Sequence, residues 1–394
     1  MKNKTYVTMS VFYSLLFMAT GSFTSYIGLY YAEIGLDNGQ IGLISAIMAA
    51  IGIISQPIIG TISDKSNRKN RVLRFTLLFC TLSTLLIPFA KKEFLLVTVT
   101  ISIFSIFNNA ISPLSDTITL ELAKRDGFKF SKVRMAGSLG YAIMAAVAGK
   151  IFSINIMYLF PVYFVLRALA YGTSFLIPPV SGYKNSEIIV SFKELFRDKK
   201  LNLLYVYIFI LSCTQGFFYS FHAIYSKQVG ITTDIIGIGV MLGSFSQFPF
   251  MLYFDKIYNK LGIFKILTIA GFAYVLRWVL YATALNNQTI LLLWCMHGFN
   301  YMMVYLCITE YVHLNVPKEL HTRGQMMNTI ILFGISNIIG VYFGGEISTF
   351  TGIGPVFMYS AVICLIAVII FIILAKKFGF TKKVEVQNVV NEKI

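Results

Sequence analysis

Long apolar runs separated by short polar segments repeat along the whole chain. A helix needs about 20 mostly apolar residues to cross a bilayer, and twelve runs reach that length. The connections are short except for residues 179–200, which are polar and charged. The pattern predicts the membrane helices 6–32, 41–62, 72–90, 94–122, 132–153, 156–178, 201–226, 234–256, 263–285, 289–314, 322–346 and 354–377.

A short sequence repeat indicates that the chain is built from two similar halves. Gln56 precedes Asp64 near the end of the second predicted helix, and Gln247 precedes Asp255 near the end of the eighth, at the same offset of 191. Repeated halves are typical of secondary transporters, whose solute site lies between them. We expect an N-terminal six-helix bundle, a central cytoplasmic loop, a C-terminal six-helix bundle and a cytoplasmic tail over 1–178, 179–200, 201–378 and 379–394.

The composition supports an all-α integral membrane protein. Apolar residues make up 57% of the chain and charged residues 13%, whereas soluble domains have about 45–50% and about 25%. So much apolar surface requires a lipid environment. The apolar stretch 5–31 is too long for the core of a signal peptide, so it is interpreted as the first membrane helix.

The basic residues predict the orientation. The formal net charge is +16, and 27 of the 33 Lys and Arg residues fall on segments that share one side with the N-terminus. Cytoplasmic loops carry such an excess. Both termini are therefore predicted to be cytoplasmic in a cell membrane, and Lys184 in the central loop should be protected from reagents outside. The membrane topology therefore accounts for the excess of basic residues, and no nucleic-acid partner is predicted.

The sequence shows no metal or cofactor pattern. The five cysteines lie at irregular spacing in apolar runs, and the four histidines lack metal-ligand spacing. There is no G-x-x-x-x-G-K-[ST] loop for ATP. These observations predict no cofactor and argue against a membrane-embedded enzyme. A non-transporting receptor remains an alternative.

A basic segment between the second and third helices is a candidate gating loop. Its candidate residues are Gly60, Asp64, Lys65 and Arg68. We expect Gly60 to allow close helix approach and Asp64 to pair with a base. We expect Arg68, together with the neighbouring Lys69, to stay hydrated.

Ionisable residues also occur inside apolar helices. Asp116 and Arg134 lie 18 residues apart on either side of a basic turn, so their helices should be antiparallel neighbours. Arg277 and His297 lie in the ninth and tenth helices. A charge at the bilayer centre costs about 2.5–3.5 kcal/mol, so such residues face protein or a water-filled path. The Asp116–Arg134 pair is interpreted either as a structural ion pair or as part of a solute site.

These motifs resemble the major facilitator superfamily. The 60–71 loop is similar to its signature loop, although Asn67 stands where glycine is usual. The runs around Asp116 and Arg134–Tyr141 resemble the lactose permease branch and the related phenylpropionate-permease and nucleoside-symporter-like group. The resemblance implies two pseudo-symmetric six-helix bundles. It also implies that Asp116 and Arg134 bind solute, with Tyr141 at a stacking position.

The resemblance extends to the C-terminal half with departures. Arg277 and His297 match positions that serve proton coupling and binding in the sugar permease. Asn300 stands where that permease has a titrating Glu, and the helix-7 and helix-8 acids are replaced by Gly216, Tyr219 and Ser244. We therefore expect coupling through Asp116 or His297, since His has an unperturbed pKa near 6.5.

The resemblance implies a proton-coupled importer acting by alternating access as a monomer. Import is favoured because helix 5 has glycines without the proline of related exporters. A sugar or oligosaccharide, a nucleoside and an aromatic acid all remain open as solutes, and an uncoupled facilitator or an exporter is the alternative. The roles of Arg167 and Glu310 also stay open. The candidate solute-binding residues are Asp116, Arg134, Tyr141, Gln247 and Asn300.

Overall fold

The structure is a computed structural model that describes residues 2–181, 195–317 and 320–379. Most of the predicted central loop, including Lys184, and nearly all of the predicted tail lie outside these residues. The described chain contains helices and no strands. Its α-helices are α1 (Lys2–Thr24), α2 (Ile27–Glu33), α3 (Asn38–Lys65), α4 (Lys69–Thr84), α5 (Phe94–Asp126), α6 (Phe130–Phe152), α7 (Leu159–Ser174), α8 (Lys199–Gln228), α9 (Thr233–Phe245), α10 (Gln247–Thr283), α11 (Asn287–Asn315), α12 (His321–Thr329), α13 (Ser336–Thr351) and α14 (Ile353–Lys377).

Twelve membrane crossings account for these helices. In the described residues, eleven helical stretches are long and apolar enough to span a membrane. One of them, Thr233–Thr283, has 51 residues. At 1.5 Å per residue it would be about 77 Å long, more than twice the hydrocarbon core. Gly262 leaves the helix with φ 72° and ψ 160°, a conformation open to glycine. This break divides the stretch into two crossings.

Polar residues in the turns fix where several helices begin and end. Asp37 accepts a hydrogen bond from the Gln40 backbone N–H and forms a capping box at the start of α3. Asn286 does the same at the start of α11. Such caps satisfy backbone donors that have no partner in the first turn. Gly127 ends α5 with φ 75°, as expected for a left-handed helix end.

Two helix predictions differ from the structure in their extent. The sixth span stops at Ser174, because the chain turns before Pro178 and then passes over the start of α4, where Val180 accepts from the Lys69 backbone N–H. The eleventh span contains a π-helical turn over Ile330–Ile335 between α12 and α13. An inserted residue of this kind widens the helix locally and is frequent at functional sites.

The two halves meet along two helix pairs. Within the N-terminal half, α1 packs against α6 and α7, and α5 against α3 and α4; within the C-terminal half, α8 packs against α13 and α14, and α10 against α11 and α14. Between the halves, α6 packs against α9 and α3 against α13. The result is two six-helix bundles side by side, which is the arrangement that the resemblance to the major facilitator superfamily implies.

Glycines bring both inter-bundle pairs into close approach. A Cβ on Gly149 would lie 2.7 Å from the Thr233 carbonyl oxygen and 3.1 Å from the Gly237 Cα. A Cβ on Gly42 would lie 2.8 Å from the Val341 carbonyl oxygen. We call the face that carries the start of α1 and the end of α14 the terminal face, and the opposite one the distal face. Both crossings lie near the distal face, which is therefore closed.

Candidate functional site

A cavity of about 1140 Å³ lies between the two bundles. It includes Phe130 and Ser131 at the beginning of α6, so it reaches towards the terminal face, while the glycine crossings close it distally. Its wall is rich in aromatic rings and hydroxyl groups. The lining residues are Phe17, Thr24, Ser25, Phe130, Ser131, Arg134, Met135, Ser138, Leu139, Tyr141, Tyr219, His222, Val240, Ser244, Phe245, Gln247, Phe248, Met251, Leu252, Trp294, His297 and Tyr301.

The structure brings Asp116 and Arg134 together at one side of this cavity. Arg134 Nη1 lies 3.8 Å from Asp116 Oδ1, which is longer than a hydrogen bond. The Asp116 carboxylate accepts instead from the Tyr13 hydroxyl at 2.6 Å, and Tyr13 accepts from the Thr119 hydroxyl at 3.1 Å. Arg134 lines the cavity, whereas Asp116 is not part of its wall. The guanidinium is therefore the group of this pair that a solute in the cavity meets.

Phe17 holds the Arg134 side chain in place. The guanidinium carbon lies 4.4 Å from the centroid of the Phe17 ring, within the range of a cation–π interaction. Gly137 allows this arrangement, because a Cβ there would lie 2.9 Å from the Phe17 ring. The planar fork of the guanidinium is thus fixed with donors directed away from the ring.

Tyr141 and Gln247 also lie in the cavity wall. The Tyr141 hydroxyl lies 3.4 Å from the Ser25 hydroxyl, so it links α6 to the residue that follows α1. Gln247 opens α10, directly after the break that follows α9. The two residues stand on opposite bundles, and each presents a hydrogen-bonding group to the space between them.

Arg277 and His297 form a buried pair on the opposite side. Arg277 Nη1 lies 3.3 Å from His297 Nδ1 and donates to Gln215 Oε1 at 3.4 Å. His297 Nε2 lies 3.3 Å from the Tyr219 hydroxyl. Arg277 is fully buried, while His297 and Tyr219 reach the cavity wall. The sequence prediction that Arg277 and His297 belong to one site agrees with this geometry, although only His297 faces the cavity.

Aromatic rings enclose the Arg277 guanidinium. Its carbon lies 4.3 Å from the Phe218 ring centroid and 5.0 Å from that of Trp278. Tyr281 and Trp294 follow at 5.8 and 5.9 Å. Among the described side chains no carboxylate forms an ion pair with Arg277. Ring faces and neutral acceptors therefore stabilise this charge, which otherwise would be very costly to bury.

Three other polar residues lie away from the cavity. Asn300 is fully buried and not part of the wall, so the structure does not place it with Arg134 and Tyr141. Arg167 is also buried and donates to the Tyr163 hydroxyl and to Asn108 Oδ1, each at 2.8 Å. Glu310 has no ion pair among the described side chains, and the nearby loop bases, at 318 and 323, are outside them.

The 60–71 loop differs from its prediction at two residues. Lys69 is buried rather than hydrated, and its ammonium lies 3.1 Å from Asp64 and 2.8 Å from Glu121. The expected pairing of Asp64 with a base is present, with Lys69 as the base. A Cβ on Gly60 would have no atom within 4 Å, so Gly60 makes no close helix contact here. Lys65 and Arg68 are exposed.

Several residues that complete the site were not predicted from the sequence. Tyr13 holds Asp116 from α1, 103 positions away. Trp294 and His222 line the cavity. Trp294 is one of only two tryptophans in the chain, and it fits between α9 and α11 because Gly239 and Gly243 face it. The sequence offered two signals for Trp294: tryptophan is rare in this chain, and Trp294 lies about one helical turn before His297.

Comparisons with known proteins agree with this fold. The MFS_1-like family model matches residues 6–361. The maltose permease of Geobacillus stearothermophilus is 24% identical over 93% of this chain and 94% of its own length. The lactose permease of Citrobacter freundii is 27% identical over 64% of this chain and 66% of its own. The crystal structure of the nucleoside transporter NupG has a TM-score of 0.83 at 16% identity, covering 94% of this chain and 99% of that one.

These findings confirm the resemblance to the major facilitator superfamily, to the lactose permease branch and to the related phenylpropionate and nucleoside transporter group. The two relatives are permeases, and the helical fold is shared with the NupG structure. The family match covers the greater part of the chain. The chain therefore belongs to the MFS_1-like family, and it is a membrane transporter and not an enzyme.

Proposed function

We propose that this chain is a proton-coupled importer of a small organic solute in the cell membrane. The cavity between the bundles supports this most directly, because it reaches towards one face and is closed by glycine crossings at the other. Rocking of two bundles around a central site gives alternating access. The basic segments next to both termini support a cytoplasmic terminal face. The chain acts as a monomer, since one chain contains the whole cavity.

Arg134, Tyr141 and Gln247 are the proposed solute-binding residues, because all three line the cavity. Asp116 is the proposed proton carrier. It is a carboxylate with a partly exposed side chain, 3.8 Å from the Arg134 guanidinium that a solute would engage. Solute binding at Arg134 changes the charge beside Asp116, and a neighbouring charge alters how readily a carboxylate binds a proton. This arrangement links solute binding to proton binding without a C-terminal acid.

Arg277 and His297 have a supporting role in this proposal: Arg277 holds the His297 imidazole, and His297 holds the Tyr219 hydroxyl in the C-terminal wall of the cavity. The Asp64–Lys69–Glu121 cluster is proposed to hold the terminal ends of α3, α4 and α5 together while the bundles rock, with Gly60, Lys65 and Arg68 on the moving surface.

An uncoupled facilitator of the same fold is the second candidate, since the Asp116 carboxylate already has a hydroxyl partner in Tyr13.

A transport assay in proteoliposomes tests this function. Purified protein would be reconstituted with a labelled disaccharide, nucleoside or arylcarboxylate, and counterflow would be compared with protein-free liposomes. We expect counterflow of one class, and net accumulation when the outside is made acidic. Counterflow without any effect of the pH gradient would support the facilitator, and no counterflow of any class would contradict the proposal.

A further inference from the structure

Two histidines from successive helices meet at the terminal face, away from the central cavity. His313 lies in the last turn of α11, and His321 is the first residue of α12. Pro317 lies between them in the sequence. Their ring centroids are 5.3 Å apart, with an interplanar angle of 54°. Their spacing of eight matches no metal motif within one helix, because the contact forms across the turn between two helices.

A hydrogen bond determines which nitrogen of His321 is free. His321 Nε2 lies 2.8 Å from the Val316 carbonyl oxygen. A carbonyl oxygen only accepts, so Nε2 carries a hydrogen and donates it, and Nδ1 of the neutral imidazole keeps its lone pair. His321 Nδ1 and the ring nitrogens of His313 form no hydrogen bond with any described residue. A backbone carbonyl that orients an imidazole in this way is a usual partner of a metal-binding histidine.

The distance between the two rings fits one shared metal ion. Zn²⁺ binds imidazole nitrogens at about 2.1 Å in a tetrahedral arrangement, which places two bound ring centres about 5 Å apart. The observed centroid distance of 5.3 Å agrees with this value. Both histidines also line an open pocket of about 450 Å³, together with Gln325, Met326 and Thr329. The pocket leaves room for water molecules beside the pair.

Helix packing brings the two histidines together without a metal. Gln325 Nε2 in α12 donates to the Thr309 carbonyl oxygen in α11 at 3.0 Å, and α12 packs along α11. The Val316 bond holds the His321 ring in the turn between these helices. Ligands that are already in position lose less conformational freedom when they bind. The pair is therefore preorganised for a shared ligand.

We propose that His313 and His321 bind a divalent transition metal such as Zn²⁺ at the terminal face. Imidazole suits such metals, whereas Mg²⁺ and Ca²⁺ prefer oxygen ligands. Within the described part of the chain, no three His, Cys, Asp or Glu side chains are grouped to hold a metal, so water completes the coordination. The bound metal joins the end of α11 to α12, directly before the π-helical turn Ile330–Ile335. This site is independent of the solute that the chain carries.

Calorimetry on the full chain in nanodiscs, with any affinity tag removed, tests the site. The protein would be titrated with ZnCl₂, and with MgCl₂ as the control. We expect saturable binding of one Zn²⁺ per chain and no binding of Mg²⁺ at the same concentrations. Zn²⁺ should also raise the thermal unfolding temperature, because a ligand that binds only the native state stabilises it.

Variants of the two histidines separate metal ligation from ring packing. His313→Phe keeps an aromatic ring beside His321 but has no lone pair, and His321→Gln can still donate to the Val316 carbonyl. Loss of an outer partner alone lowers metal affinity about 10–100-fold, so either loss of a ligand should weaken Zn²⁺ binding at least about tenfold. His313→Cys supplies a thiolate, which is also a zinc ligand, and should restore binding.

Cys295→Ser is the matched control, because Cys295 is an exposed thiol outside the pocket and its loss should leave Zn²⁺ binding unchanged. Absence of Zn²⁺ binding in the wild type would overturn the inference. Binding that survives both His313→Phe and His321→Gln, or that disappears in Cys295→Ser, would also overturn it, and so would equal binding of Mg²⁺.

Discussion

Lys69 Nζ lies 2.8 Å from Glu121 Oε1, which joins the first residue of α4 to α5 at the terminal face. The same ammonium lies 3.1 Å from Asp64 at the end of α3. Lys69 is almost fully buried, while both carboxylates are partly exposed. One buried cation between two acids ties three helices of one bundle together. That connection is suited to keeping the bundle rigid while its partner moves.

Replacing Lys69 by Met should destabilise the transporter. The two carboxylates would then face each other without the cation, and removing one member of a buried ionic cluster costs about 3–5 kcal/mol, less here because the acids are partly exposed. We expect a lower thermal unfolding temperature and slower counterflow. Arg71→Ala, an exposed change in the same helix, is the control and should have little effect. The triple variant Asp64→Asn, Lys69→Met, Glu121→Gln should recover stability.

The distal closure should depend on Gly149. Ala at this position would place a methyl group 2.7 Å from the Thr233 carbonyl oxygen, which is backbone and cannot rotate away. We expect Gly149→Ala to favour conformations open at the distal face. The measurement is the labelling rate of Ser25→Cys, in the cavity wall, by a membrane-impermeant thiol reagent added on the distal side. Gly172→Ala has open space around its Cβ and should leave that rate unchanged.

Arg167 should matter for stability and not for solute recognition. Its guanidinium donates to Tyr163 and Asn108 inside the N-terminal bundle, away from the cavity wall. Arg167→Gln would remove the charged donor from both bonds, and each lost hydrogen bond to a charged group costs about 1.5–3 kcal/mol. We expect a thermal unfolding temperature lower by several degrees with unchanged affinity for the solute. A large loss of affinity in protein of wild-type stability would place Arg167 in the solute path.

The spans could be predicted from the sequence because a bilayer requires long apolar helices whatever the tertiary packing. The approach of Asp116 and Arg134 was also predictable, since a short turn makes their helices antiparallel neighbours. The break at Gly262 lies between two predicted spans, because the bilayer thickness limits the length of one crossing. In each case the determining interactions are local in sequence or are imposed by the lipid.

The unpredicted parts depend on contacts between distant helices. Lys69 lies in a basic sequence segment, which predicts a hydrated side chain. In the structure its ammonium instead donates to Glu121, 52 positions away, and is buried in the bundle. Nothing in the sequence around Tyr13 predicts its hydrogen bond to Asp116, which is 103 positions away. The contacts from Arg277 to His297 and from His297 to Tyr219 join α10, α11 and α8. Such relationships arise only once the helices have packed.

Proton coupling should depend on Asp116 and not on His297. In the structure His297 accepts from Arg277 at Nδ1, and a second proton there would break that bond and place two cations 3.3 Å apart in a buried site. Such like-charge pairs in a low-dielectric interior are strongly disfavoured. Asp116 is free of this repulsion, because its side chain is partly exposed and a proton on a carboxylate removes a charge instead of creating a second cation.

The measurement is solute-induced proton uptake by proteoliposomes containing wild type, Asp116→Asn or His297→Gln. Asn is close in size to Asp and can still accept from Tyr13, so Asp116→Asn should keep solute exchange while losing proton uptake. Gln can accept from Arg277 and donate to Tyr219, so His297→Gln should keep both. Loss of proton uptake in His297→Gln, with exchange intact, would assign the proton to the imidazole. Uptake that persists in both variants would exclude Asp116 as the carrier, and wild-type exchange without proton movement would identify a facilitator.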